Sequence, residues 1–385
     1  MKVMRYVVLT SLFCFLTSGC AARDLSAIRG EVRNDPVEEE MLWQQARQAE
    51  KAIDARAHIC KAPALTAYLA EVVRKLQVQE APGNFSFRVV VLEDPCPEAF
   101  SFPNGVIYIH TGMLAQAESE AQLAFVLAHE MSHCTSRHAL KALRYAREHD
   151  SPDGVSSLTE ANLSVALQSG WQASSLHDFR QQLEAEADLA ALDLLAKAGY
   201  DPIDAVGLLL RQQELRGQIQ TMSLCADSYP DIEERLKRCQ AFVKSLLPGS
   251  RPARPMDREK FLRHTRGALL TNAEIYLQAG RFESARQYAE RYLNFAPDDA
   301  RGYYLLGEVC RQRGEGDDLT TAGQYYEKAI GLDPDFPEPY KAIGLLYYKN
   351  GRYCLARNAF ARYLALAPTA TDKNYIVEYL QQCSE

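Results

Sequence analysis

Apolar positions recur at helical spacing over most of this 385-residue chain. The pattern predicts helices from about Val37 to His58 and from Pro63 to Leu76. Two short runs break it. Phe87-Arg88-Val89-Val90-Val91-Leu92 is rich in β-branched residues and predicts a strand, and Val106-Ile107-Tyr108-Ile109 predicts a second behind a Pro103-Asn104-Gly105 turn. From Ser119 to about Arg147 one long helix is expected, then a loop over Glu148 to Ser157 that contains Pro152, Asp153 and Gly154. Helix returns from about Leu176 through Lys197, where Gly199 and then Pro202 stop it. Pro248, Pro252 and Pro255 then fall too close together for a helix to continue, and they mark a boundary. Before that boundary the expectation is an α+β body, mainly helical, with a small sheet.

Beyond it the pattern repeats. Gly280, Gly314 and Gly351 precede matching helices, and Pro297, Pro334 and Pro368 end them, 37 and then 34 residues apart. Thirty-four is the tetratricopeptide period. The third unit fits best, with Gly344, Tyr347, Gly351, Tyr353, Ala356, Phe360 and Pro368 where that repeat places small or aromatic residues. The second carries three extra residues around Gly314 to Thr320, and the first is the weakest match. Small residues let paired helices approach closely while aromatics fill the space between neighbours. An all-α array over 257–385, binding a protein partner on its concave face, is expected.

Composition changes the picture little. The chain is 47% hydrophobic and 24% charged, ordinary for globular domains, and its net charge of −7 argues against a nucleic-acid partner. The N-terminus changes it more. Lys2 and Arg5 precede an apolar run from Tyr6 to Leu16 that is too short to span a bilayer, and Leu16-Thr17-Ser18-Gly19-Cys20 follows. This resembles a bacterial lipoprotein signal, with Thr17 departing from the usual leucine. The resemblance implies a signal over 1–20, lipidation of Cys20, a polar tether over 21–40 and, because Ala21 follows, a place on the outer membrane facing the periplasm. An ordinary secretory signal cleaved nearby is the alternative. Ten cysteines fit an oxidising compartment, and Cys225 with Cys239 is one plausible pair.

The sharpest chemistry is His129-Glu130-Met131-Ser132-His133. Histidines at i and i+4 share one helical face, so both rings can reach one ion, and the glutamate beside them can take a proton from water. Leu123 to Ala128 supplies the buried face of such a helix. Downstream, Glu184-Ala185-Glu186-Ala187-Asp188 lies in the next strong helix and offers a carboxylate. Two neutral imidazoles and one carboxylate leave a fourth position open, the pattern of a catalytic zinc, one per chain. His110, His149 and His177 have no partner spacing, and Cys134 reads as a small buried thiol.

Residues 60–240 resemble the gluzincin metallopeptidases of the CAAX prenyl protease and HtpX-like kind, through the Leu123-to-His133 segment, Arg137-His138, the Glu-x-Glu-Ala-Asp segment and Ala198-Gly199-Tyr200-Asp201-Pro202. With the lipoprotein signal and the repeats, the whole chain looks like the periplasmic proteases of outer-membrane assembly and quality control. The resemblance implies a zincin-type domain over 41–248, a linker over 249–256, and zinc-dependent cleavage of unfolded or misassembled envelope proteins. It implies Glu184 as third ligand, over Glu186, which points to another face of the helix. Asp188, one turn from Glu184, is expected to orient a ligand imidazole. His138 is expected to brace the helix. The Ala99-to-Ile109 segment resembles the family's edge strand, which pairs with extended peptide. One departure is Tyr229, which stands where relatives carry a histidine that can block the metal; its phenol either gates or assists at the metal, or packs a loop. A chaperone or assembly scaffold with an idle zinc site is the alternative function.

Overall fold

The structure, a computed structural model, describes residues 36–77, 85–149, 174–222, 232–246 and 257–383. Cys20, Cys225, Tyr229 and the 249–256 linker lie outside these. The fold is mainly helical with one small sheet, as the pattern predicts.

Helices α1 (Pro36–Arg56) and α2 (Pro63–Gln77) lead into strands β1 (Arg88–Leu92), β2 (Ala99–Ser101) and β3 (Val106–His110). The sheet order is β1-β3-β2. β3 pairs with β1 in parallel, Val90 opposite Tyr108, and with β2 antiparallel, Phe100 opposite Tyr108. β1 and β3 are buried on both faces, which is why they read as unbroken β-branched runs. The outer side of β1 is occupied by the chain near Ile59, through Cys60 N–H to Val91 O at 2.9 Å and Glu93 N–H to His58 O at 2.8 Å. β2 is the other edge, and among the described residues no further strand pairs with it.

The short α3 (Thr111–Gln116) follows, then α4 (Glu120–Thr135), whose Ser119 side chain caps it by accepting from Gln122 N–H at 3.2 Å. Almost every residue of α4 is buried, so it runs through the centre of the first core. The single long helix expected from Ser119 to Arg147 is in fact two. Arg137 has a φ of +50°, the one non-glycine residue with positive φ among those described, and the chain restarts as α5 (His138–His149). A left-handed residue ends a helix, and a non-glycine one gives no composition cue for it.

α6 (Ser174–Ala198) packs along α4, and α7 (Pro202–Met222) and α8 (Ile232–Leu246) complete the body. The turn between α6 and α7 follows from its residues. Gly199 takes a φ of +86°, Tyr200 N–H returns to Leu195 O at 3.0 Å, and Asp201 accepts from Ile203 N–H at 2.8 Å to start α7. Tyr200 itself drops into the body, where its hydroxyl donates to Glu120 at 2.9 Å. Of the plausible Cys225–Cys239 pair, Cys225 lies outside the described residues and Cys239 is a free thiol on the inner face of α8, fully buried in the first core, whereas Cys96 is disulfide-bonded.

α9 (Arg258–Thr265) sets its Phe261 into that same core. The repeats follow as helix pairs, α10 (Gly267–Gln278) with α11 (Phe282–Phe295), α12 (Ala300–Arg313) with α13 (Asp318–Leu332), and α14 (Pro337–Lys349) with α15 (Tyr353–Leu366), closed by α16 (Lys373–Gln382). Gly280, Gly314 and Gly351 turn each pair with φ between +67° and +69°. A Cβ on Gly344 would lie 2.7 Å from the Phe360 ring and one on Gly307 2.4 Å from Tyr326, so the small residues are the condition for close pairing. The array is joined to the body by polar contacts. Thr111 donates to Asn272 at 2.6 Å, and Arg291 donates to Ala115 O at 2.7 Å. No helix among the described residues is long and apolar enough to cross a membrane.

Glu120 is the polar junction of α2, α4 and the α6–α7 turn, accepting from Tyr68 at 2.7 Å, Lys75 at 2.8 Å and Tyr200 at 2.9 Å. Burial pushes its pKa up, but these hydrogen bonds outweigh burial and hold it below the usual carboxylate range. Glu120→Ala leaves two buried phenols without an acceptor and is expected to destabilise the protein by about 1–3 kcal/mol. Because the folded pKa is lowered, wild type's advantage is full at neutral pH and shrinks as pH falls below about 4.3. Thermal melts of both proteins from pH 7 to pH 3 check this; a constant difference across that range contradicts it.

Candidate metal centre

α4 and α6 together build the site. His129 and His133 sit one turn apart on the face of α4 that α6 covers, and their Nε2 atoms approach to 3.0 Å. Glu184 on α6 brings one carboxylate oxygen 3.3 Å from His129 Nε2 and the other 3.7 Å from His133 Nε2. Two donors each about 2.0–2.1 Å from a tetrahedral ion lie roughly 3.3 Å apart, so these three edges fit one ion. Two ring nitrogens facing each other need a proton or a cation between them, which makes the donor set chemically ready for a metal. Among the described residues, His129, His133 and Glu184 are the group whose ligand atoms all converge within 4.8 Å.

Around this triangle stands a second layer. Asp188, fully buried one turn beyond Glu184, brings an oxygen 3.0 Å from His129 Nδ1. Arg235 of α8 donates to both Asp188 oxygens, at 2.9 and 2.7 Å. Glu186 faces away from the triangle, as helical geometry requires, and takes Lys141 Nζ on both oxygens at 2.9 Å. Glu130 turns toward β2, where Ser101 Oγ donates to its carboxylate at 2.9 Å. His110 stands apart, paired with Asp94 at 3.8 Å.

Comparison with known proteins agrees with this geometry. Residues 60–243 match the family described as Peptidase family M48, and residues 315–351 match a TPR repeat. The chain carries an M48 metallopeptidase domain. Among its relatives, it is 26% identical over 181 residues to the mitochondrial metalloendopeptidase OMA1 of Schizosaccharomyces pombe, covering 46% of this chain and 53% of that protein. It is 29% identical over 150 residues to the beta-barrel assembly-enhancing protease of Escherichia coli, 36% of this chain and 31% of that protein. The OMA1 metalloendopeptidase of Arabidopsis thaliana is 30% identical over 175 residues, 43% of this chain and 30% of that one. The chain thus spans about half or less of the length of these relatives.

Electrostatics of the M48 domain follow from burying so much charge. Burial opposes a proton on His129, but Asp188 and Glu184 outweigh it and lift the pKa to about 10. Burial, with His129 and His138 nearby, pushes His133 down to about 3. Without an ion, His129 therefore favours its protonated form and His133 its neutral one, and a metal held by these nitrogens would compete with that proton. Asp188 would rise on burial alone; Arg235 and His129 keep it down at about 2. Glu130 is raised above the usual carboxylate range, first by burial and further by the charge of Glu184.

Nothing in the sequence pattern marks Ser101, Lys141 or Arg235 as site residues, and for His138 the sequence suggests only a bracing role. Arg235 had a local cue, the Glu233-Glu234-Arg235 run, but nothing in spacing ties it to a carboxylate 47 residues earlier. Asp188→Asn keeps the side chain's shape while stranding a buried guanidinium. It is expected to weaken metal binding about 10–100-fold and to lower the melting temperature of the metal-free protein. Chelator competition and calorimetry check both; an unchanged affinity removes Asp188 from the site's support.

Proposed function

We propose that this chain is a zinc-dependent endopeptidase of the cell envelope. One zinc is held by His129, His133 and Glu184, with Asp188 orienting His129. The observation that carries the reading is the triangle of donor atoms with edges of 3.0, 3.3 and 3.7 Å, with Glu130 on the adjoining face of the same helix. When bound, the ion supplies Lewis acidity, acidifying water and polarising a carbonyl.

The protein's own residues do the rest. Glu130 accepts the proton of the attacking water at its carboxylate and returns it to the leaving amine. Its raised pKa suits a group that must do both, and Ser101 fixes which way it faces. The open side of β2 offers main-chain groups to an extended peptide, which would then run past Ser101 and Glu130. Main-chain pairing reads an unfolded strand more than a sequence, which favours misfolded or stalled envelope proteins as substrates. The names of the relatives, metalloendopeptidases and a beta-barrel assembly-enhancing protease, support the same reading.

In this proposal Cys20 carries a lipid anchor to the outer membrane, the protease body over 41–248 faces the periplasm, and the repeats over 257–385 dock a protein partner. Tyr229, outside the described residues, enters the proposal only through its alignment with the relatives' histidine, as a candidate hydrogen-bond donor to a developing oxyanion, with loop packing as the alternative role.

Glu130→Gln tests the central step. The amide keeps the shape of the side chain but cannot take a proton, so zinc content should match wild type while casein hydrolysis falls at least a hundredfold. Hydrolysis near the wild-type rate would give the base role to another group.

A further inference from the structure

His133 Nε2 faces the metal triangle, and the opposite nitrogen of the same ring, Nδ1, lies 2.9 Å from Nδ1 of His138. The two rings stand nearly perpendicular, at 86°, with centroids 4.8 Å apart. His138 is buried, 3% exposed. Two facing ring nitrogens can share a single hydrogen, so one must donate and the other accept. A histidine that offers its Nε2 lone pair to an ion carries its hydrogen on Nδ1, and here that hydrogen can go only to His138 Nδ1. His138 must then carry its own hydrogen on Nε2.

That nitrogen is buried and makes no hydrogen bond, and the Glu186 carboxylate lies 3.4 Å from it, at ion-pair distance. Glu186 is in turn held on both oxygens by Lys141 at 2.9 Å. The order of donors is therefore set from the far end. Lys141 holds Glu186 as an anion beside His138, and that negative charge favours a hydrogen on the nearer nitrogen, Nε2, which leaves Nδ1 as the acceptor for His133.

Backbone geometry makes this meeting possible. In an unbroken helix, residue 138 would lie some 140° around the axis from residue 133, on a different face. The left-handed Arg137, φ +50°, ends α4 and restarts the chain so that His138 turns back toward His133. For a non-glycine residue that conformation is unfavourable and has to be held by its surroundings. Arg137 is fastened there by Glu39 of α1 at 3.1 Å.

We infer that His138 is a positioning residue for the metal site: it accepts the Nδ1–H of His133, is itself polarised by the Glu186–Lys141 pair, and so presents the His133 Nε2 lone pair to the ion. The two imidazole ligands are thus supported differently. His129 leans directly on a carboxylate, Asp188, whereas His133 reaches its carboxylate through an intervening imidazole. This inference rests on the zinc-site reading above, and its test separates the two.

Zinc affinity is measured on the full chain by competition with a chromophoric chelator, for wild type, His129→Ala, His138→Leu and His138→Asn. Failure of wild type to bind, or full binding by His129→Ala, would overturn the zinc-site reading itself. With that reading intact, His138→Leu is expected to lose about 10–100-fold in affinity. His138→Asn places an oxygen acceptor near the position of Nδ1 and is expected to recover most of that loss. An affinity for His138→Leu within about threefold of wild type, or an equal loss in both variants, overturns the inference. A second readout needs no variant. In zinc-loaded wild type with 15N-labelled histidine, long-range 1H–15N spectra should show His133 protonated on Nδ1 and His138 on Nε2. A hydrogen on His138 Nδ1 overturns the inference whatever the variants do.

Discussion

Between α4 and α6 the protein encloses two imidazoles and the carboxylates of Glu184 and Asp188, with Glu130 turned to β2 beside them, and that charge has to be balanced where little water reaches. Isolated buried charges are costly by several kcal/mol each, so every one needs a partner. Arg235 answers Asp188, and a proton on His129 answers Glu184 when no ion is present. Much of the surrounding architecture serves this balance. α8 exists in the site because it carries Arg235, and α6 places Glu184 and Asp188 one turn apart on its inward face. In the proposed metal site the ligand atoms are also the atoms that take protons, so metal binding and protonation would compete directly.

The same helix links the charged cluster to the sheet. Glu130 faces β2 through Ser101, and β2 is the strand left without an outer neighbour among the described residues. Glu120, at the start of α4, ties that helix to α2 and to the turn before α7. The repeats are not a loose appendage. Phe261 of α9 sits in the protease core, and Ala115 of α3 sits in the core of the first repeat. Asn272 reaches Thr111, which directly follows the end of β3.

Much of this was legible in the sequence, for identifiable reasons. The i, i+4 spacing of His129 and His133 and the one-turn spacing of Glu184 and Asp188 are local geometry, which sequence carries directly. Gly199 with Pro202 marked a helix stop, and the glycines of the repeats marked close helix pairing. What failed was non-local or atypical. The break at Arg137 lacks the glycine that usually betrays a left-handed residue, so α4 and α5 read as one helix and His138 seemed to brace the helix alone. Cysteine spacing leaves connectivity open, and the burial of Cys239 in the first core depends on which face of α8 turns inward. Arg235 meets Asp188 only because the tertiary fold brings them together.

The most direct test of the account is a crystal structure of the zinc-loaded full chain, with anomalous scattering measured at the zinc edge. A single strong peak about 2.0–2.2 Å from His129 Nε2, His133 Nε2 and a Glu184 oxygen is expected. A peak coordinated by Glu186 or by His138, or one placed away from α4, would contradict it.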